Sequence, residues 1–143
     1  MNDTGRQRSL STVIIVGVLY LVIAFVSGEL AGAAASDQMQ FFWRLSAFVI
    51  SGVVFAAHIA YEHFRLRNTA LPTAWHASMG VAVGAFALAL AANIHDLGSA
   101  SGYRLRMLIA LVAWPLLTGV PAFLVALGTA AVLARLRTKR LGE

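Results

Sequence analysis

The sequence predicts an all-α integral membrane protein, a four-transmembrane-helix antiparallel bundle whose fourth helix is kinked by proline. Three observations lead there. Of 143 residues, 59% are hydrophobic and 12% charged, with a mean hydropathy of +0.78, whereas soluble domains carry about 45–50% apolar and about 25% charged residues. Four apolar segments approach the length of about 20 residues that a helix needs to cross about 30 Å of hydrocarbon. The basic residues also divide unevenly between the two sides of those segments. At 15.2 kDa, residues 1–143 read as one membrane domain.

The first segment is "VIIVGVLYLVIAFVSGELAGAAA", Val13 to Ala35. A second reading of the same stretch is a cleavable signal peptide, since Arg6 and Arg8 precede an apolar core and the small-residue "AGAAAS" follows it. The second segment runs from Phe41 to Tyr61 and opens with "FFWR", which places Phe41, Phe42 and Trp43 at an interface as an aromatic belt. The third spans Ala74 to Ala92. There Ala77, Gly80, Gly84, Ala87 and Ala91 share one face, and Gly80-x-x-x-Gly84 matches the small-xxx-small pattern of close helix packing. Gly28-x-x-x-Gly32 repeats that pattern in the first segment.

The fourth segment, Met107 to Ala134, has 28 residues. At 1.5 Å per residue it would be about 42 Å long, more than a straight span requires. Its "WPLLTGVP" holds Pro115 and Pro121 with Thr118 and Gly119 between them. Each proline lacks an N–H and crowds the carbonyl four residues earlier, so a bend is expected there.

Arg6, Arg8, Arg65, Arg67, Arg135, Arg137, Lys139 and Arg140 fall on one side of this arrangement, and Arg44, Arg104 and Arg106 on the other. Eight against three is a positive-inside bias. Both termini and the Arg65 to Pro72 loop are expected in the cytoplasm, with "NIHDLGSASGYR" and the loop around Asp37 outside. The expected location is the bacterial inner membrane. The net charge of +5 is then a topology signal, and no nucleic-acid partner is expected.

Few ionisable groups are available for chemistry. Glu29 lies in the outer half of the first segment, where an acid is a proton-coupling candidate; a shifted span puts it at the interface, within reach of Arg44. That acid and the chain size resemble small four-helix drug/proton exchangers, with no other motif in common. The stretch "AHIAYEHFRLR" closes the second segment. There Glu62, His63, Arg65 and Arg67 are expected among the headgroups, while His58 sits one turn deeper, with Glu62 four residues on as its candidate partner. His76 enters the third segment at a similar depth. His58 and His76 together are candidate haem or metal ligands.

Cysteine is absent, which excludes thiolate metal sites, disulfide exchange and cysteine nucleophiles. No serine has a histidine and acid placed beside it, and no enzyme is expected. The leading expectation is a non-catalytic component, either an accessory subunit packed within a membrane complex or a self-associating homo-oligomer. A proton-linked transporter or channel using Glu29, and a haem, pigment or metal carrier using His58 and His76, are the alternatives; no cofactor is expected under the leading reading.

Overall fold

The computed structural model describes residues 3–95 and 104–141. It is all-helical over those residues: α1 (Asp3–Gly32), α2 (Asp37–Ala60) continued by a π turn (Tyr61–Arg65), α3 (Ala70–His95) and α4 (Arg104–Leu141). Each of the four is long and apolar enough to cross a membrane. The helices overrun the apolar segments at most ends, because polar residues such as Gln7 and Arg8, or Asp37 and Gln38, continue a helix once apolar residues have established it. The outer loop expected around Asp96 to Tyr103 lies outside the described residues.

The link from α1 to α2 is short and capped. Ser36 is extended, with φ −144°, and its hydroxyl accepts from the Met39 N–H at 3.3 Å. This satisfies one of the amides left bare at a helix start. Asp37 adds a negative charge where the helix dipole favours it. Gln40 reaches back to donate to the Ala31 carbonyl.

The central helix is α3, packed most extensively on α4 and then on α1, while α2 leans chiefly on α1. Its small residues permit this. A Cβ on Gly84 would fall 2.6 Å from Tyr20 Cβ, and one on Gly80 would fall 3.2 Å from Val16 Cγ1. The α1 side of the contact is Gly17, whose Cβ would strike Val83 Cγ1 at 2.7 Å. The second glycine pair behaves otherwise: Gly28 and Gly32 have open space where a side chain would stand. The close approach is made two to four turns earlier on α1, at Val16, Gly17 and Tyr20, and no helix of the chain closes on Gly28 or Gly32 in this way.

On the α4 side, Gly119 lies against Ala82, and Trp75 meets Phe123 edge-on with ring centroids 6.5 Å apart. Asn93 Nδ2 donates to the Met107 carbonyl at 3.0 Å. Pro115 and Pro121 lie inside one unbroken helix. Thr118 is engaged by that helix, its hydroxyl donating to Trp114 O at 2.9 Å. The buried apolar cluster of Ile59, Ala74, Ala77 and Ala126 gathers α2, α3 and α4 at the end next to the π turn.

Candidate functional site

The π turn explains the most unexpected feature of the molecule. In an α-helix successive residues advance by about 100°, so His63 would stand about 140° around the axis from His58. The i→i+5 pattern of a π turn brings residues five apart toward one face. Tyr61–Arg65 is wound this way, with the Leu66 N–H donating to Tyr61 O at 3.2 Å. Both Glu62 and His63 are thereby turned inward with His58, at 0%, 4% and 3% exposure. The expectation that Glu62 and His63 lie among headgroups is overturned; Arg65 and Arg67 are exposed.

The turn closes through the next residues. Arg67 adopts φ +54°, the left-handed conformation that ends many helices, and the Asn68 N–H donates to Glu62 O at 3.1 Å. This bridge spans six residues, one more than the six-to-one closure of an ordinary helix end, as the wider π winding requires. Asn68 also turns its side-chain amide onto Glu62 Oε2. One asparagine thus holds both the backbone and the carboxylate of Glu62.

From α3, His76 completes the site. Its Nδ1 lies 3.0 Å from Glu62 Oε2, and its side chain keeps 18% exposure while that of Glu62 has none. On the other side, His58 Nε2 stands 3.7 Å from Glu62 Oε1, too far for a hydrogen bond. The His58 ring lies over Gly80, where a Cβ would be 3.5 Å from its Nδ1. Gly80 therefore makes room for both Val16 and an imidazole.

Several buried atoms here lack a hydrogen-bond partner: both ring nitrogens of His58 and of His63, Glu62 Oε1, Thr73 Oγ1 and, on α1 against Gly84, the Tyr20 hydroxyl. Each bare group costs about 1–3 kcal/mol if water is excluded. Such a concentration at one place marks a site that stability alone does not favour.

Two of the sequence candidates are therefore brought together, His58 and His76, each against Glu62. Glu62 was legible as a partner for His58, but its burial was not, because nothing in a single sequence marks a π turn. Among the described residues no group of three or more histidines and carboxylates is arranged to hold a metal ion. Glu29 and Arg44 are elsewhere, exposed on α1 and α2 near the opposite end, and make no ion pair with each other. Arg44 lines a cleft of about 370 Å³ with Gly28, Ala31, Gly32 and Gln40. In comparisons with protein-family models, curated proteins and solved structures, the chain matches none of them.

Proposed function

We propose that this chain is a non-catalytic component of the bacterial inner membrane that works by helix assembly, its first partner being a second copy of itself. The helices cross the bilayer alternately, both termini are cytoplasmic, and α4 bends at Pro115 and Pro121. The order of contacts supports the alternation. Val16 and Tyr20 meet Gly80 and Gly84 in rising order, while Trp75, Ala82 and Asn93 meet Phe123, Gly119 and Met107 in falling order.

The observation that carries the assembly is the pair of opposite charges left unmatched at one end of the chain. Glu29 is exposed beside the open Gly28 and Gly32, and Arg44 is exposed in the adjoining cleft. In an isologous dimer each contact occurs twice. Glu29 of each copy would meet Arg44 of the other, with the bare glycines admitting the approaching helix. Two intermolecular pairs would then cover four charges that face an interface singly in the lone chain.

Native mass after mild-detergent extraction, with an absorbance scan of the same sample, tests this. A colourless dimer is expected. Glu29→Arg and Arg44→Glu should each give monomer, and the double exchange should restore the dimer. A monomeric wild type, or a dimer indifferent to either single change, rejects the reading. Visible absorbance lost in His58→Ala would favour a haem or pigment carrier in its place.

A further inference from the structure

The Glu62 cluster is not explained by assembly. A carboxylate with no exposure costs several kcal/mol to bury unless cations or donors compensate it. Arg65 and Arg67, its nearest guanidinium groups in sequence, are exposed and make no ion pair with it among the described residues. Its ionisable contacts are imidazoles, His76 at 3.0 Å and His58 at 3.7 Å. Chains of Glu and His inside membranes are the usual material of proton relays.

The three groups are graded from wet to dry. His76 keeps partial exposure, and the side chains of Glu62 and His58 have none. Beyond His58 the line continues along one face of α3, because His76, Gly80 and Gly84 recur every four residues. Gly80 admits the His58 ring, and Gly84 admits Tyr20 one turn, or about 6 Å, farther on. Side chains on an α-helix tilt toward its N-terminus. By that rule Tyr20, packed on Gly84, is directed toward the level of Gly80, and its hydroxyl is buried without a partner.

We propose that His76, Glu62, His58 and Tyr20 form a proton-conducting entry path from the π-turn end of the molecule into the bundle. A proton taken from water at His76 Nε2 releases the one on Nδ1 to Glu62 Oε2. The carboxyl group delivers the proton held on Oε1 to His58 Nε2 when a small ring movement closes their 3.7 Å separation to hydrogen-bond length, and the other ring nitrogen, Nδ1, releases its own proton to water beside the Tyr20 hydroxyl, which carries it onward. Each residue keeps its net charge but exchanges the site of its proton, so both imidazole rings and the carboxyl group must turn to restore the starting arrangement, and the net result of one cycle is one proton moved inward.

The other groups at this end do not interrupt the line. Asn68 holds Glu62 Oε2 in place, and His63 lies on the same π turn with its ring edge-on to Phe64 at 5.0 Å. Beside them lies the apolar cluster of Ile59, Ala74, Ala77 and Ala126, on which Phe123, Leu127 and Leu133 of α4 pack. Arg65 and Arg67 stand outside, where they hold the mouth of the path at positive potential.

The test is proton flux into liposomes carrying the purified full chain and a trapped pH-sensitive dye, driven by a potassium diffusion potential. Wild type should exceed protein-free liposomes. Glu62→Gln should lower that flux about 100-fold, the loss usual for a positioned acid–base group; Tyr20→Phe should lower it less, and exposed Asp37→Asn should leave it unchanged. Circular dichroism and native mass qualify each variant, and if Glu62→Gln fails to fold, His58→Gln carries the test. Wild-type flux no greater than that of empty liposomes, or flux unaltered in a folded Glu62→Gln or His58→Gln, overturns the proposal. Because oligomeric state is read separately, a failed relay leaves the dimer result standing.

Discussion

His76 and Glu62 lie fourteen residues apart, on either side of a short loop, and meet at 3.0 Å between Nδ1 and Oε2. That contact ties the start of α3 to the π turn closing α2, and Asn68 in the loop between them grips the same carboxylate oxygen. The loop is thus held from three points around one buried acid. Removing the acid should loosen the α2–α3 junction more than any single apolar truncation nearby.

Glu62→Ala should therefore be destabilising by about 3–5 kcal/mol, the cost usual when one partner of a buried pair is deleted. Glu62→Gln keeps the volume and one carbonyl acceptor for Asn68 or His76, so it should cost less. Denaturant-induced unfolding in detergent, followed by circular dichroism, compares the two. Equal midpoints for Ala and wild type would show that the pair contributes nothing to the junction.

Asn68→Asp is nearly isosteric but replaces a donor by a second carboxylate against Glu62. Like charges at contact distance disfavour double ionisation. The variant should be strongly destabilised near neutral pH, where the folded state must take up a proton that the unfolded state lacks. As pH falls toward about 4, where unfolded carboxylates also protonate, that penalty should fade. The sign is the check: the stability gap between wild type and variant must narrow on acidification and widen above it.

Four helices long and apolar enough to cross a membrane, and the small-residue face of α3, were legible because they rest on composition and on a 3.6-residue period. Gly80 and Gly84 lie where that period puts them. His58 and Glu62 were also legible as a pair, being four apart. His63 was not, because the i→i+5 winding of Tyr61–Arg65 leaves no pattern in five residues. Gly28 and Gly32 show the converse difficulty: a packing motif records that a helix can approach closely, and says nothing of which helix does.

Arg67 sits at φ +54°, a conformation that costs a residue with a Cβ about 1 kcal/mol or more. Its side chain is exposed, so little contact is lost when it is removed. Arg67→Gly should stabilise the protein by about 0.5–1 kcal/mol despite the greater freedom of glycine in the unfolded chain. Arg67→Val should destabilise it by more, since a β-branched residue resists this region strongly. Unfolding midpoints of the two variants should lie on opposite sides of wild type.

The two glycine pairs should respond oppositely to the same change. Leucine at Gly84 must displace the Tyr20 backbone side of α1, since even its Cβ would stand 2.6 Å from Tyr20 Cβ and 3.0 Å from the Gly17 carbonyl oxygen. Overpacking of a tight contact costs about 1–3 kcal/mol and often more where backbone must move. Leucine at Gly28 meets open space. Gly84→Leu should lower the unfolding midpoint, whereas Gly28→Leu should leave it near wild type while weakening the dimer seen by native mass.

The absence of cysteine makes topology directly measurable, because any introduced thiol is unique. Thr69 and Gln38 are exposed and lie beyond opposite ends of the span Asp37–Arg65, or within its first turn. The loop holding Thr69 follows Arg65 and Arg67, so positive-inside bias assigns it to the cytoplasm, and Gln38 must then face outward. In spheroplasts a membrane-impermeant maleimide should label Gln38→Cys at once and Thr69→Cys only after permeabilisation. The reverse pattern would invert the protein and place the Glu62 site on the outer side, so that any proton path would begin there. Labelling of both positions from one side would mean that α2 and its π turn do not cross, and the buried carboxylate would then belong to a helix lying along the membrane surface.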